Sequence, residues 1–519
     1  VYDITALLDQ YQPDPSKLAE LKTTLDQGPE SAGRRVWDYY LARARAFRAM
    51  GNVSQALLAA RQAYELAPGT PKDPSFVLEL AITEGAAGNL LTEIQMREQI
   101  ATGYIPDWQT GSLSNLVRLY AAIGDLASAR ATFKRNEIVY AGLSTRPSWS
   151  YNRHDFTTLL EQARTVLLRA EGKLAAAEQA ARKALDEAQQ DTETIESRVK
   201  ARQTGISPET AYARRDGTEL LLADIVRQQG RLGEAELIVR GVLQRVLKRV
   251  GRSSTLAGGT AYTLALSVFD QGRYAEAAAL TRIVIQTNET LGVSPALPLT
   301  RSARLLQASA LASQGKWQEA ATEHEQIKAA FAADPQATSR IQSANSYIVV
   351  ALLKTGQTDD AVAHSRKLLD QSEQQLGNDH YATAEARGIH AMALAAKGER
   401  EQALQQFAIA ARILIDTSAS QATDEGLAPA KTQRLEWILG DYVRLLAEPE
   451  GGAAARRSGL DPVAESFQLA DALRGQSVQR APASATSRAA TNDPALAALV
   501  RQEQDFRNEV TVLYRLLPN

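Results

Sequence analysis

A glycine followed five residues later by an alanine recurs along this chain, at Gly51/Ala56, Gly124/Ala129, Gly172/Ala177, Gly230/Ala235, Gly272/Ala277, Gly315/Ala320, Gly356/Ala361 and Gly398/Ala403. Gly88 continues the series but carries Glu93 where the alanine is expected. An apolar or aromatic residue stands four positions before most of these glycines, as at Phe47, Tyr120, Leu168, Val226, Val268, Leu311, Leu352 and Leu394. The spacing predicts pairs of antiparallel helices. Glycine ends the first helix, where a left-handed backbone is inexpensive only without a Cβ. Alanine falls in the opening turn of the second helix, where a larger side chain would push the two apart. The expected fold class is therefore all-α, an α-α superhelix or solenoid of antiparallel helical hairpins.

Several of these copies match more than the turn. The first reads Ala44, Phe47, Gly51, Ala56, Ala63 and Pro68, and the ninth reads Ala391, Leu394, Gly398, Ala403, Phe407 and Ala410. These residues resemble the tetratricopeptide repeat in its small, large and proline positions. From Gly230 onward the glycines stand at 272, 315, 356 and 398, a period longer than the ~34 residues of the standard repeat. That period resembles the long-helix variety of kinesin light chains, as does the linker Gly377-Asn378-Asp379-His380. HEAT and armadillo repeats share the length; the Gly/Ala turn favours the tetratricopeptide reading. The wider intervals across 124, 172 and 230 imply an extra length of helix or loop.

Composition suits a packed helical chain. Hydrophobic residues make up 44% of the 519 and charged residues 23%, an ordinary globular mixture. The 58 basic and 60 acidic residues nearly cancel, to a formal charge of -2, so no global electrostatic footprint for nucleic acid is expected. No apolar run is long enough for a membrane-spanning segment. There is no cysteine, which excludes disulfides, thiolate metal sites and a cysteine nucleophile within these residues. A start at Val1 and the absence of cysteine are compatible with export, so bacterial cytoplasm and periplasm or secretion both stay open.

Six segments are expected. Residues 1–30 form a helical leader or cap containing Pro13, Pro15 and an amphipathic stretch from Lys17 to Leu25. Residues 31–185 form an irregular N-terminal array, 186–215 an insertion or extended helix and loop, and 216–415 the long-period array. Asp191, Glu193, Glu196, Arg198 and Lys200 of the insertion are expected to form a solvated face. Prolines 68, 71, 74, 295 and 298 mark where helices stop. Residues 416–462 are expected to be degenerate capping helices, with a helix over Arg434–Leu446 and a Gly/Ala-rich loop over Pro449–Arg457.

The last segment, 463–519, has a different texture. It runs Ala464-Glu465-Ser466-Phe467-Gln468-Leu469-Ala470-Asp471-Ala472-Leu473-Arg474-Gly475, then Asp493-Pro494-Ala495-Leu496-Ala497-Ala498-Leu499-Val500-Arg501-Gln502-Glu503-Gln504-Asp505. Both phrases resemble the helical connector before the caspase-like CHAT domain in bacterial proteins built as tetratricopeptide repeats followed by CHAT. The resemblance implies that such a domain, with its catalytic His and Cys, would follow Asn519.

No catalytic or metal site is expected within the chain. The five histidines, at 154, 324, 364, 380 and 390, make no metal-binding spacing, and no phosphate-binding loop or G-x-S-x-G motif occurs. Asp379-His380 reads as a helix cap, and no cofactor is implied. In the tetratricopeptide family the first helix of each hairpin lines a concave groove, with positions three and six before the glycine facing inward. The resemblance thus implies a groove of Arg45, Arg48, Arg118, Arg169, Asp224 and Arg227 in the N-terminal half. An apolar half follows, with Leu266, Phe269, Ser309, Val350, Leu353 and Met392. Asn115 with Arg118 echoes part of the family's carboxylate clamp. A basic stripe would suit a protein or peptide partner with acidic groups. The competing reading is that these arginines only pair with acids on neighbouring helices. The expected role is a protein-interaction scaffold, the sensor or recruitment region of a CHAT protein that can restrain the adjoining domain; the alternative is a stand-alone adaptor.

Overall fold

A computed structural model of the chain describes residues 15–33, 35–202, 208–252, 254–290, 298–333, 345–421 and 428–474. The expected proline at 13, the stop at Pro295 and the connector beyond 474 lie outside the described residues. What is described is helical, with no strand. After a leader helix, α1 (Pro15–Asp26), nine hairpins follow in chain order: α2/α3 (Val36–Ala49, Val53–Leu66), α4/α5 (Pro74–Ala86, Leu90–Gly103) and α6/α7 (Pro106–Ala122, Leu126–Leu143). Next come α8/α9 (Trp149–Ala170, Leu174–Lys200), α10/α11 (Glu209–Gln228, Leu232–Val250) and α12/α13 (Thr255–Asp270, Tyr274–Thr290). The last three are α14/α15 (Pro298–Ser313, Trp317–Ala333), α16/α17 (Ser346–Lys354, Thr358–Leu376) and α18/α19 (Tyr381–Lys397, Arg400–Gln421). Three further helices close the described chain: α20 (Pro429–Ala447), α21 (Pro449–Arg457) and α22 (462–474).

Every hairpin turns at one of the nine glycines, and all nine have positive φ, between 75° and 88°. The amide after each glycine donates to a carbonyl five residues back, as Gln357 does to Leu352 and Glu399 to Leu394. This is the Schellman closure, which satisfies a carbonyl left over at the helix end. The following helix starts at once, and Asn52 and Asp125 cap it with their side chains. Five residues past the glycine, Ala56, Ala129, Ala177, Ala235, Ala277, Ala320, Ala361 and Ala403 are all 0% exposed. No room exists there for a larger group.

First helices touch first helices from one hairpin to the next, α6 against α8, α12 against α14, α14 against α16 and α16 against α18. They therefore form the inner side of the superhelix. Burial is continuous along it. Tyr347, Val350, Met392 and Leu394 belong to cores that each span more than one hairpin, so no hairpin buries its apolar face alone.

Two local expectations differ from the structure. Pro74 and Pro298 open α4 and α14 rather than ending helices, because a proline in the first turn removes an amide that had no partner anyway. Pro449–Arg457 is helix α21, not a loop. A Cβ on Gly451 would lie 1.9 Å from the Leu445 carbonyl oxygen and one on Gly452 2.9 Å from that of Leu446. The glycines permit a close backbone approach rather than flexibility.

A Cβ on Gly356 would meet nothing within 4 Å, so Gly356→Ala carries only the backbone cost of φ 79°, about 1–2 kcal/mol. Hydrogen exchange should show that loss of protection in α16 and α17, with the N-terminal hairpins unchanged.

Candidate functional site

The inner arginines are largely spoken for. Arg48 Nε bonds Glu79 at 2.8 Å and Arg45 reaches the same carboxylate at 3.4 Å. Arg169 pairs with Asp224 at 2.7 Å, Asp224 with Arg227 at 2.8 Å, and Arg227 with Asp270. Each bridge runs along the inner face, most of them from one first helix to the next. Among the arginines expected in the groove, Arg118 and Arg45 are the most loosely held: both are half exposed, with contacts of 3.5 Å to Glu93 and 3.4 Å to Glu79.

The apolar half of the expected groove is closed. Phe269 is 5% exposed and packs edge-on against Tyr347, and Val350 and Met392 are buried. What covers this face is the chain's own α20, whose Leu435, Ile438 and Leu439 share one core with Val350 and Met392. Ile438 sits on Gly388 so closely that a Cβ there would lie 2.5 Å from it. Arg434 donates to Glu385 at 2.7 Å and to the Tyr347 hydroxyl at 2.5 Å, while the Gln433 amide donates to the Ser313 carbonyl at 3.1 Å. Trp437 meets Trp317 and Tyr347 edge to face. The helix thus lies across the first helices of several successive hairpins, as a bound ligand helix would.

The N-terminal half holds a cavity of about 760 Å³. Its walls come from the first helices of four successive hairpins, α4, α6, α8 and α10, with α5 and the start of α14 completing it. Pro298 arrives there from far along the chain and lies 3.6 Å from where a Gly88 Cβ would be. Leu78, Ile82, Trp108 and Leu159 supply apolar wall. Asn115 and Arg118 line it as well, and the Arg118 guanidinium meets the Asn115 carboxamide oxygen at 3.5 Å.

Glu93 explains the polar wall. It occupies the alanine position of its hairpin, is 3% exposed, and accepts from Arg97 one turn later at 2.7 Å. A Cβ on Gly85 would fall 1.9 Å from its carboxylate; the small-residue requirement has moved from the second helix to the first. The same oxygen that accepts from Arg97 faces Arg118. Buried charge of this kind is costly unless paired. Across the cavity Asp155 pairs with Arg214, which also reaches Asp191 at 3.6 Å. Burial pushes the Asp155 carboxyl up to about 6, Arg214 pulls against the rise, and Asp191 adds to it. Asp191 is buried and not part of a solvated face.

Of the cavity's polar and aromatic lining, sequence reasoning named Asn115 and Arg118 and did not name Glu93, Arg97, Trp108, Asp155 or Arg214 as groove residues. The available signal was the broken position itself, Glu93 in place of alanine. No comparable sign marks Asp155 or Arg214, which meet only because α8 and α10 pack side by side.

The histidines play other parts. His380 caps α18, accepting from the Ala382 amide at 3.1 Å. His324 and His364 stack edge to face between α15 and α17 with ring centres 4.8 Å apart. No group of acids and histidines among the described residues could hold a metal ion, and no described helix is long and apolar enough to cross a membrane.

No protein-family model and no curated protein matches the chain. Among solved structures it is similar to the nearly identical TPR-like repeats of a Podosopora anserina protein described as a kinesin light chain. That likeness has 22% identity and a TM-score of 0.31, over 40% of this chain and 97% of that one. It is similar also to a Rap protein complexed with Competence and Sporulation Factor, at 13% identity and TM-score 0.40 over 85% of this chain and 99% of that one. A third is the apo quorum sensor NprR of B. thuringiensis, at 12% identity and TM-score 0.40 over 70% and 97%.

Two outcomes test these assignments. Glu93→Ala strands the buried Arg97 and should lower stability by about 3–5 kcal/mol, while the double variant Glu93→Ala/Arg97→Met recovers part of the loss in urea unfolding. Burial lowers the His364 pKa to about 4, with His324, Lys367 and Lys328 acting in the same sense and Asp360 against it. The unfolded chain then binds the extra proton first, so this contribution is complete above about pH 6.5 and is lost as pH falls towards 4. The thermal midpoint of His364→Phe should fall less steeply over that window than that of the parent.

Proposed function

We propose that this chain is a protein-interaction scaffold that takes a segment of its partner into the cavity of the N-terminal array. The observation that carries the reading is the cavity's construction from the first helices of four consecutive hairpins, with a buried, paired charge cluster in its wall. Buried polar groups cost stability unless they serve a purpose that packing alone does not supply. Concave, largely apolar sites with a few convergent polar groups are where ligands bind. In this reading the stretch 31–185 recruits, with α10 contributing Arg214, and 216–415 gives a rigid platform held by α20. Of the residues expected in the groove, Asn115 and Arg118 are the ones that meet the partner; Arg45, Arg48, Arg169, Asp224 and Arg227 act as an ion ladder between hairpins.

The recruiting role fits the sensor region of a bacterial tetratricopeptide-CHAT protein, in which partner binding would release or restrain a caspase-like domain. What supports this finer reading is the resemblance of 463–519 to the CHAT connector. The reading frame after Asn519 tests it: a domain-sized stretch bearing a His and a Cys supports it, and a stop codon leaves the adaptor.

The scaffold reading has its own test. A photo-crosslinking amino acid at Asn115, inside the cavity, should give a discrete protein adduct in the native host. The same group at Ile138, 74% exposed on α7, should give none. Equal labelling at both positions would overturn the assignment.

A further inference from the structure

The two charged clusters of the cavity have opposite imbalance. At one, two guanidiniums, Arg97 and Arg118, face the single carboxylate of Glu93. At the other, Asp155 meets one guanidinium, Arg214, and one further carboxylate, Asp191, on which Arg198 and His154 also act. Asp107, a further carboxylate in the cavity wall, is taken by Arg146 and does not neutralise the first cluster, and His154 beside the second is taken by Glu187. One cluster therefore attracts an anion and the other a cation.

Their heights in the superhelix also differ. First helices pack side by side in register, as the 3.8 Å approach of Leu159 to the Cβ position of Gly111 shows, each residue lying 13 before its turn glycine. Arg118 lies 6 residues before Gly124, Asp155 17 before Gly172 and Arg214 16 before Gly230. Eleven residues of helix separate the first level from the second, roughly 16 Å at 1.5 Å per residue. Leu159 provides apolar surface between the two levels, and Trp108, 16 residues before Gly124, stands at the second. An extended chain covers such a distance in about five residues.

We propose that the cavity selects an extended peptide segment with an acidic group at one end, set against Arg97 and Arg118, a basic group about five residues away, set against Asp155, and apolar residues between. This rests on the scaffold reading and adds the chemistry of what is gripped. Guanidiniums take the carboxylate as charge-assisted hydrogen bonds. A cation near Asp155 favours its ionised form, against the burial that holds its carboxyl at about 6. Peptide affinity therefore weakens as pH drops below that value, as Asp155 takes up a proton beside Arg214, Asp191 and, through Asp191, His154 and Arg198.

The test is selection of a displayed library of random, end-capped octapeptides on the intact chain, followed by titration of the recovered peptides. The expected result is enrichment of sequences with one acidic and one basic position at a constant separation of about five. Replacing the peptide's acid by its amide, or its lysine by norleucine, should each weaken binding at least about tenfold, the order of one charge-assisted bond. Those changes leave the protein untouched, so they stay informative if Arg118→Glu or Asp155→Asn fails to fold. Where the variants do fold, Arg118→Glu should lose the preference for the acid alone and Asp155→Asn that for the base alone. No enrichment, enrichment without the paired charges, or equal binding of the neutralised peptides overturns the proposal. A partner adduct at Asn115 would still stand in those cases, and its absence would sink the scaffold reading itself.

Discussion

The left-handed glycine and the buried alanine five residues later are the constraint on which everything else depends. The glycine reverses the chain within a few residues and lets the Schellman bond close the first helix. The alanine sets how closely the second helix approaches. Repeated nine times with one variation, this geometry stacks first helices on first helices and produces a curved inner face. Curvature makes a cavity possible at all, since Pro298 can reach the turn at Gly88 only after the superhelix has come round.

The one hairpin that departs from the rule is the one that builds the polar wall. With Glu93 at the tight position, Gly85 supplies the missing room and Arg97 the missing charge. The exchange keeps the hairpin's geometry while placing a charged group where the others have a methyl. Local packing is given up there for a buried ion pair, the departure from local rules on which the proposed site rests.

Inner surface in the other half is used differently. There α20 fills the face with Leu435, Ile438 and Trp437 and fastens itself through Arg434 and Gln433. Each such buried aliphatic side chain contributes about 1.5–3 kcal/mol. The same curvature that leaves a cavity open in one half is closed by the chain itself in the other. The ion ladder from Arg169 through Asp224 and Arg227 to Asp270 links hairpins where the two halves meet.

The amino-acid sequence by itself determined the fold class, the nine turns and the helical hairpins, because these rest on local backbone rules: a positive φ wants glycine, and a tight helix crossing wants alanine. It also marked Glu93 as the odd member. Most of the neutralisation of the arginines was decided by tertiary structure, since Glu79, Asp224 and Asp270 reach Arg48, Arg169 and Arg227 from a neighbouring first helix; Asp224 with Arg227 is the local pair, three residues apart on one helix. The same is true of α20, whose apolar period predicts a helix but not the surface it covers. Asp155 and Arg214 were likewise invisible, 59 residues apart in the chain and joined only where two first helices lie together. Short-range sterics are written in spacing; long-range charge pairing and burial are written only in the assembled superhelix.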